Sequence, residues 1–449
     1  MASPLLTDLY GLNMAASYWR QGMMADATFS LFVRELPPGR GFLVAAGLDD
    51  CLDHLEHMRF TTEELAYLAT IGFDAAALDA FAAVRFTGEV RAVPEGRMVF
   101  ANEPLLEVTA PIAEAQLVES FLLNQVTMQT TLATKAARCV MAAGGQIDLV
   151  EFGFRRAQGI DAGMAVARLA VMVGFSGTSN VEAARRFGLE PVGTMAHSYI
   201  EAFPSELEAF RSFARDRPGQ STFLVDTYDT VSGVKHAIEA IRSLGLQHRA
   251  AIRIDSGDLA AMARRARSLL DGAGLPEVRI LVSGALDEIA LKELAASGTP
   301  IDSAGVGTRM ATAADAPYVD SAYKLVVYDG RGVVKLSEDK ETLPGAKQVY
   351  RRPGLSDTLC LRDEQPPTPD SEALMVVVME GGERTGERDP LAVASARFER
   401  DRTALADEQA DLERPVQAEP VISSALRALE RKARSEARAQ AEEGNRDGG

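Results

Sequence analysis

Short apolar runs recur through the middle of the chain, and each ends in a cluster of glycine or polar residues. Helical patterns separate the runs, at a spacing of about 20 to 30 residues that is close to one βαβ unit. Fully apolar strands that alternate with helices form a buried parallel sheet. The pattern therefore predicts a closed or nearly closed α/β barrel. The runs are QIDLVEFGFRR, AVMVGFSGTSN, EPVGTMAHSY, STFLVDTYDT, AAIRIDSGD, VRILVSGALDE and TPIDSAGVGTRM.

The first 130 residues have a different pattern, in which helical and extended segments are mixed. Apolar residues with helical spacing in LLTDLYGLNMAASYWRQGM predict an amphipathic helix, with Thr7 or Asp8 able to cap it. ATFSLFVREL alternates like a strand, and residues 88–111 predict short antiparallel strands with a turn at Pro94 to Gly96. This part is therefore predicted to be a β-rich α+β domain.

The chain after residue 315 is predicted to return to that first domain. AYKLVVYDGRGVVKLS predicts a hairpin around Asp329 and Gly330, and residues 338–352 predict a loop and a strand. From about residue 395 the chain is charge-dense and helical in pattern, and its last residues, 431–449, have the composition of a disordered end. The expected divisions are 1–130 (N-terminal domain), 131–316 (barrel), 317–395 (returning segment) and 396–449 (tail).

Composition narrows the class of protein. The 449 residues carry a formal charge of −17, which argues against general nucleic-acid binding because that needs a basic surface. The three cysteines are far apart and form no metal-binding spacing, which is typical of a reducing compartment. No run is long enough to span a membrane, and the N-terminus lacks the features of a signal peptide. We expect a cytoplasmic protein with no membrane or nucleic-acid partner.

The chemically distinctive residues follow the predicted strands. In α/β barrels the carboxyl ends of the strands carry the active site. These residues are therefore expected to meet at one catalytic mouth, and they are Arg155, Ser179, His197, Asp226, Arg253, Asp255, Gly305 and Gly307.

Two motifs at these strand ends have both a binding and a structural interpretation. The glycines of SAGVGTRMATAAD permit close approach of backbone N–H groups to a phosphate before a helix, or they form a tight turn. In EFGFRRAQG, Phe152 is suited to stack on a flat ring and Arg155 to hold a carboxylate or phosphate. The alternative is a core phenylalanine beside surface arginines. No P-loop motif is present.

The acids and His197 are also open to two interpretations. LVDTYDT and AIRIDSGDL supply Asp226 and Asp255, which suit sugar hydroxyls or magnesium, whereas the same acids can cap helices. His197 is either a reactive group or a structural residue of the barrel. Zinc catalysis is not expected, because the chain has no HxxxH or HExxH pair.

Taken together, these motifs resemble those of the nicotinate phosphoribosyltransferase family. Eight segments occur in the family's order, and the likeness extends from TDLYGLNM to GAKQVYRR. The others are FSLFVRELP, EFGFRRAQG, GFSGTSN, GTMAHSYIEAF, LVDTYDT, IRIDSGDL and GVGTRM. The resemblance implies a β-rich domain packed on an irregular α/β barrel, in a homodimer whose active sites lie at the subunit interface.

The implied reaction condenses nicotinate with phosphoribosyl pyrophosphate to give nicotinate mononucleotide and pyrophosphate, for NAD salvage. The resemblance also implies magnesium, and ATP hydrolysis coupled through phosphorylated His197. Asp255 would hold the ribose, and Arg253 would face the nicotinate carboxylate. The other implied substrate-binding residues are Tyr10 (from the partner subunit), Phe152, Arg155, Ser179, Asp226, Ser283, Gly284, Gly305, Gly307, Thr308, Arg34, Lys324 and Lys347.

Other functions are disfavoured by particular residues. A nicotinamide phosphoribosyltransferase is expected to have an acid where this chain has Ser179, since an acid would repel nicotinate. A barrel lyase or isomerase acting on a sugar phosphate needs a strand-end lysine for a Schiff base, and the predicted strand ends have none. A non-catalytic binding protein has no need for arginine, aspartate, histidine and glycine at one end of a barrel.

Overall fold

The computed structural model describes residues 3–219, 221–336 and 342–447, with side chains as far as residue 442. These residues form two compact units. One unit, called the composite unit here, joins the chain up to residue 131 with the chain from residue 318 onward, and the other, the barrel unit, is residues 132–317. Within the described ranges, no helix is long and apolar enough to cross a membrane.

The first part of the composite unit mixes helices and strands. Its elements are α1 (Leu9–Arg20), β1 (Asp26–Val33), β2 (Leu43–Val44), α2 (Leu48–Glu56), α3 (Thr62–Thr70), α4 (Ala75–Ala83), β3 (Glu89–Ala92), β4 (Met98–Val99), β5 (Pro104–Pro111), α5 (Ile112–Leu117) and α6 (Glu119–Ala143), which continues into the barrel unit. The helix α1 begins after Asp8, but the Asp8 side chain does not cap it. Its carboxylate accepts a hydrogen bond of 2.7 Å from Ser120 Oγ instead.

The barrel unit alternates strands and helices. Its elements are β6 (Asp148–Glu151), a 3-10 helix (Phe154–Arg156), α7 (Ile160–Met172), β7 (Gly177–Thr178), α8 (Val181–Phe187), α9 (His197–Glu201), α10 (Glu206–Asp216), β8 (Ser221–Leu224), α11 (Thr230–Leu244), β9 (Ala250–Ile254), α12 (Leu259–Gly272), β10 (Arg279–Ser283), α13 (Glu288–Ala296), β11 (Ser303–Val306) and α14 (Thr308–Ala311).

The strand order of the barrel unit is β7-β6-β11-β10-β9-β8, and every pair is parallel. The last strand, β11, pairs with the first, β6, so the sheet curls back on itself as a barrel does. Beyond β7, Thr178 bridges Pro191, and in the described ranges no strand pairing joins that bridge to β8. The predicted irregular α/β barrel is confirmed, with an opening at this one seam.

The strand predicted in EPVGTMAHSY is wrong, because the structure has only the isolated bridge at Pro191 there. A proline has no backbone N–H to donate to a ladder, and Gly193 two residues later weakens an extended run. The segment instead runs irregularly to His197, where α9 begins.

The last part of the chain completes the composite unit. Its elements are β12 (Ser321–Tyr328), β13 (Arg331–Gly332), β14 (Lys347–Arg352), β15 (Ser356–Leu361), β16 (Glu372–Ala373), β17 (Val376–Glu380), β18 (Glu383–Arg384), α15 (Leu391–Ala404), α16 (Asp407–Ala410), β19 (Val421–Ile422) and α17 (Ser424–Asp447). The strands β12 and β17 enter the first sheet, whose order is β13-β12-β1-β5-β3-β17-β18. The β-rich domain is thus completed by C-terminal segments, as predicted.

The hairpin predicted around Asp329 and Gly330 is present between β12 and β13. Both turn residues have positive φ, 49° and 69°, and the flanking pair is Tyr328 with Arg331. Such two-residue turns suit the twist of antiparallel strands. The loop predicted next to it includes residues 337–341, which lie outside the described residues.

The chain after residue 395 is more than a charged helical tail. The strand β19 pairs in parallel with β15, and Phe398, Asp401 and Leu426 are buried. The helix α17 also continues through residues 431–442, where composition predicted a disordered end. Buried apolar residues along these segments, including Leu426 and Ala433, anchor them. Residues 448 and 449, which were also predicted to be disordered, lie outside the described residues.

Candidate active site

The centre of the candidate site is Arg253, which lies near the end of β9. Its Nη2 donates to Asp255 Oδ1 at 2.6 Å, and its Nε donates to Ser283 Oγ, at the end of β10, at 2.7 Å. Its Nη1 donates to Thr194 Oγ1 at 3.0 Å. A guanidinium has five N–H donors, so these three bonds fix its plane and leave two donors for a ligand.

Asp255 follows β9 directly and is half-buried. Burial tends to raise the pKa of its carboxyl, but hydrogen bonds from Ser283 and Arg253 outweigh burial, and the charges of Arg253 and His197 act in the same direction. The net result is a lowered pKa. Asp255 is therefore ionised at neutral pH and presents a negative charge at the mouth of the barrel.

Asp226 follows β8 and organises the backbone beside Asp255. Its Oδ2 accepts from the Asp255 backbone N at 3.0 Å and from Ser256 Oγ at 2.6 Å. Its Oδ1 is buried and has no hydrogen-bond partner in the described structure. A buried oxygen without a partner is costly, so this atom is suited to a ligand hydroxyl or cation.

The structure separates the acids that cap helices from those that do not. Asp229 caps α11 by accepting from Ser232 N at 2.8 Å, and Asp258 caps α12 by accepting from Ala261 N at 3.0 Å. The capping role considered for Asp255 is therefore performed by Asp258, three residues later. Asp226 and Asp255 are left as the two acids of the candidate site.

His197 is the first residue of α9 and is half-buried. Its Nδ1 lies 3.1 Å from Thr227 Oγ1, next to Asp226 in the chain. The tautomer in which Nδ1–H donates to this hydroxyl leaves the lone pair on Nε2, which has no partner among the described residues. An imidazole held in this way is suited to act as a nucleophile through Nε2.

Phe152 follows β6, and its ring lies over the guanidinium of Arg253. The Cζ atom of Arg253 lies 5.5 Å from the centroid of the Phe152 ring. The ring also lies against Gly305 of β11, where a Cβ would be only 2.4 Å from Phe152 Cδ2. Gly305 therefore makes room for an aromatic ring, a role that the sequence did not indicate when it suggested a phosphate.

Two exposed side chains next to Phe152 have no partner in the described part of the chain. Ser179 follows β7, and only its backbone N is engaged, by the carbonyl of Glu151 at 2.8 Å. Arg155 lies in the 3-10 helix and is exposed. Both side chains are thus available to a ligand.

The proposed phosphate-binding turns lie after β10 and β11. Gly284 has φ of 93°, and a Cβ there would lie 2.0 Å from the carbonyl oxygen of Asp255, so a side chain at position 284 would displace the backbone of Asp255. Gly307 and Thr308 follow β11 and are partly or fully exposed. The helix expected after them, α14, has only four residues, so its dipole contributes little to anion binding.

Four predicted residues belong to the composite unit, and one of them differs from the prediction. Lys347 is buried, and its Nζ donates to Ser30 Oγ at 3.1 Å and to the Gly345 carbonyl at 2.8 Å, beside Glu107. These partners make Lys347 a structural lysine rather than a phosphate ligand. Its charge was visible in the sequence, but its burial was not.

The other three keep exposed or partly exposed groups. The Tyr10 side chain is half-exposed, and burial, followed by the charge of Glu119, raises its pKa to about 12. Tyr10 is therefore a neutral phenol that can stack on a ring. Arg34 Nη1 pairs with Asp320 at 2.9 Å while its buried Nε has no partner in the described ranges, and Lys324 is exposed on β12.

Three residues of the site were missed by the sequence interpretation. They are Thr194, which holds Arg253, Thr227, which orients His197, and Glu151, which binds two loops through Gly153 N and Thr178 Oγ1. Threonines and a strand-end glutamate carry no distinctive signal by themselves. Only the position of Thr194 in the GTMAHS segment, three residues before His197, suggests a role for it.

Comparisons with known proteins agree with this arrangement. Residues 5–127 match the nicotinate phosphoribosyltransferase (NAPRTase) N-terminal domain, and residues 147–299 match the nicotinate phosphoribosyltransferase family. The chain is 48% identical over 392 residues to nicotinate phosphoribosyltransferase pncB2 of Mycobacterium tuberculosis, covering 86% of this chain and 84% of that protein. The chain belongs to the nicotinate phosphoribosyltransferase family.

Two further relatives support the membership. A Bacillus subtilis nicotinate phosphoribosyltransferase is 43% identical over 377 residues, covering 80% of this chain and 76% of that protein. The crystal structure of human nicotinic acid phosphoribosyltransferase superposes with a TM-score of 0.84 at 30% identity, covering 95% of this chain and 99% of that chain. The likeness therefore includes both the barrel and the β-rich domain.

Proposed function

We propose that this chain transfers the phosphoribosyl group of phosphoribosyl pyrophosphate to nicotinate, giving nicotinate mononucleotide and pyrophosphate for NAD salvage. The observation that carries the proposal is the Arg253–Asp255–Ser283 cluster at the strand ends of a member of this family. An ionised acid, an oriented guanidinium with spare donors and a hydroxyl together suit a substrate that combines a ribose with anionic groups.

In the proposed reaction the pyridine nitrogen attacks ribose C1 as pyrophosphate leaves, and positive charge develops on the sugar. The ionised Asp255 accepts hydrogen bonds from the ribose hydroxyls and favours that charge electrostatically. The nicotinate ring stacks on Phe152, and its carboxylate meets Arg253 and the Ser179 hydroxyl. A charged donor and a neutral hydroxyl favour a carboxylate over an amide at this position.

The phosphates are assigned to the turns after β10 and β11 and to Arg155. Gly284, Gly307, Thr308 and Arg155 are partly or fully exposed, whereas Ser283 is buried and its hydroxyl is bonded to Arg253 and Asp255. Gly284 and Gly307 offer backbone N–H donors and Thr308 a hydroxyl to the 5′-phosphate, Ser283 holds the turn before Gly284 in place, and Arg155 offers its free guanidinium.

Magnesium would neutralise the leaving pyrophosphate. The described residues contain no cluster of three acidic, histidine or cysteine ligands. Magnesium is commonly held by one or two carboxylates together with substrate phosphates. The unpartnered Oδ1 of Asp226 fits one such ligand.

ATP hydrolysis is proposed to be coupled through His197. Its Nε2 attacks the γ-phosphorus, ADP leaves, and hydrolysis of the phosphohistidine later releases phosphate. The Thr227 contact at Nδ1 supports this assignment because it leaves Nε2 free to react. The charge on phosphorylated His197 would act on the site that binds the phosphoribosyl donor.

Several finer features are proposed on the resemblance. They are a homodimer in which Tyr10 of the partner subunit stacks on the second face of nicotinate, roles for Arg34 and Lys324 in binding phosphates, and a cytoplasmic location. The half-exposed, neutral phenol of Tyr10 supports the stacking role.

The function is tested by a product assay. Purified protein is incubated with phosphoribosyl pyrophosphate, magnesium, ATP and either nicotinate or nicotinamide. We expect the mononucleotide from nicotinate, and Ser179→Asp should lower kcat/KM for nicotinate about a hundredfold through charge repulsion with a smaller effect for nicotinamide. Product from nicotinamide alone, or from neither substrate, would reject the proposal.

The coupling to ATP is tested separately with γ-labelled ATP. We expect an acid-labile phosphoryl group on the wild type and none on His197→Ala, which should retain some ATP-independent condensation. Thr194→Ser serves as a matched variant in the same segment, since it keeps the hydroxyl that binds Arg253. A His197→Ala protein that still hydrolyses ATP in proportion to product would show that the assignment of His197 is wrong.

A further inference from the structure

Glu151, the last residue of β6, is a buried carboxylate to which the proposed chemistry gives no role. Its side chain is fully inaccessible, with 0% exposure. Its Oε1 accepts from Gly153 N, and its Oε2 accepts from Thr178 Oγ1 at 2.5 Å. No lysine or arginine pairs with it among the described residues, so only hydrogen bonds compensate for its burial.

The hydrogen bonds of Glu151 connect two loops of the candidate site. Gly153 lies between Phe152 and Arg155 in the loop after β6, and Thr178 precedes Ser179 in the loop after β7. The backbone of Glu151 adds a third connection, because its carbonyl accepts from Ser179 N at 2.8 Å. One residue thus fixes the distance between the proposed ring-stacking Phe152 and the proposed carboxylate-facing Ser179.

A buried carboxylate is a costly way to fill space. Burial raises the pKa of Glu151, and the hydrogen bonds from Thr178 and the loop backbone lower it only in part. An apolar side chain would fill the same volume without this cost. Groups of this kind are concentrated at functional sites, and here both of the loops that it holds supply residues to the candidate site.

We propose that Glu151 is a positioning residue that sets the spacing of the Phe152 and Ser179 loops and thereby selects a pyridine bearing a carboxylate. The proposal rests on the proposed function, since it concerns the nicotinate side of the same site. The phosphoribosyl side is formed mainly by Asp255, Gly284 and Thr308, which follow β9, β10 and β11, and Glu151 bonds none of them through its side chain. Arg155, also assigned to the phosphates, is exposed and lies two residues beyond Gly153. The effect of Glu151 is therefore expected to be larger on the KM for nicotinate than on the KM for phosphoribosyl pyrophosphate.

Two variants test the proposal from opposite sides of the contact. Glu151→Gln keeps the shape but removes the charge and one acceptor. Thr178→Val keeps the branched side chain but removes its hydroxyl, which donates to Glu151 and also accepts from Asn180 N at 3.0 Å. Charge-assisted hydrogen bonds are about twice as strong as neutral ones, so each variant should raise KM for nicotinate about five- to tenfold. KM for phosphoribosyl pyrophosphate should stay within about twofold of the wild type, since neither variant removes a contact of Asp255, Gly284 or Thr308.

The preference for nicotinate over nicotinamide, as the ratio of kcat/KM values, is the second readout. This ratio should fall in both single variants. In the double variant the ratio should fall by less than the product of the two single effects, because both substitutions remove the same contact. A merely structural role would lower the melting temperature without changing either KM or this ratio.

Asp302→Asn is the matched control. Asp302 also accepts a backbone hydrogen bond in this barrel, from Ile280 N at 2.6 Å, but at the amino-terminal ends of the strands. The Asp302→Asn substitution should at most lower the melting temperature, and it should leave the preference for nicotinate over nicotinamide unchanged.

The outcomes distinguish this inference from the proposed function. A wild type that does not use nicotinate would overturn the proposed function and, with it, this inference. A wild type that does use nicotinate, with unchanged KM and preference in both variants, would overturn the inference alone. If Glu151→Gln does not fold, Thr178→Val decides the question, because it retains the carboxylate.

Discussion

The protein contains two clusters in which arginines meet carboxylates, and they differ in how completely the charges are satisfied. The interior cluster lies in the composite unit and consists of Arg97, Arg351, Asp357 and Asp401. Arg351 binds Asp357 with two hydrogen bonds, of 2.9 and 2.5 Å, and Asp401 at 3.1 Å, and Arg97 binds Asp401 at 2.9 Å. None of the four side chains is more than 4% exposed.

The strand-end cluster of the barrel unit, formed by Arg253, Asp255, Ser283 and Asp226, also joins an arginine to a carboxylate, but it is open. The side chain of Arg253 is 12% exposed and that of Asp255 is 31% exposed. Asp226 also keeps an oxygen without a partner in the described structure. The comparison shows that ion pairing alone does not mark an active site. The strand-end cluster differs from the interior cluster in its exposure and in its unused donors and acceptors, and we take these features as the sign of a candidate site.

The largest effect on stability is expected from the interior cluster. Asp401→Ala leaves Arg97 and Arg351 buried with one acceptor fewer, and breaking a buried pair in this way costs about 3–5 kcal/mol. Urea denaturation should show this loss, while KM for nicotinate in the folded fraction stays unchanged. A stable variant with an altered KM would break the distinction between the two clusters.

The strand-end cluster should show the opposite behaviour. Asp255→Asn removes the charge that faces the ribose, so kcat/KM should fall about a hundredfold or more, on the scale of losing one preorganised electrostatic contact. The free energy of unfolding should change by less than about 1 kcal/mol, because this site is partly hydrated. An active but strongly destabilised variant would show that Asp255 is structural.

The dependence of stability on pH sharpens the comparison further. Glu103 lies in the interior of the composite unit, where burial, followed by the charge of Asp357, raises its pKa well above the usual value. The folded protein therefore holds this proton more tightly than the unfolded chain does. Protonated Glu103 therefore contributes to the free energy of unfolding at low pH. This contribution is lost as the pH rises from about 4.3, the pKa of glutamate in the unfolded chain, to the raised pKa of the folded protein.

Glu103→Gln should remove that slope, which reaches about 1.4 kcal/mol for each pH unit. The measurement is the urea midpoint of the wild type and the variant from pH 5 to pH 8. Parallel curves for the two proteins would contradict the assignment. Asp255, whose pKa is lowered, has the opposite sign: its contribution is lost only as pH falls.

The smallest effect is expected from Asp229, the acid of the LVDTYDT motif that caps α11. Asp229→Ala should cost about 1 kcal/mol of stability and leave KM for both substrates unchanged. The variant is a matched control for Asp226, which lies three residues earlier in the same motif. A large loss of activity in Asp229→Ala would place this acid in the site as well.

The sequence was informative where chemistry coincides with a strand end. Apolar runs that stop at Asp226, Asp255 and Gly305 were sufficient to predict a barrel and its mouth. The register of neighbouring strands was not predictable, and register is what brings Ser283 to Arg253 and Thr178 to Glu151. The burial of individual charged residues was also not predictable from the sequence. Lys347 was therefore expected to bind a phosphate, although it lies in the interior.

The central claim is that the strand-end cluster binds the phosphoribosyl donor, and calorimetric titration tests it directly. Phosphoribosyl pyrophosphate with magnesium is titrated into the wild type, Asp255→Asn and Asp229→Ala. We expect equal affinity for the wild type and Asp229→Ala, and affinity at least about tenfold weaker for Asp255→Asn, as for the loss of a charge-assisted hydrogen bond. Wild-type affinity in a folded Asp255→Asn protein would contradict the account.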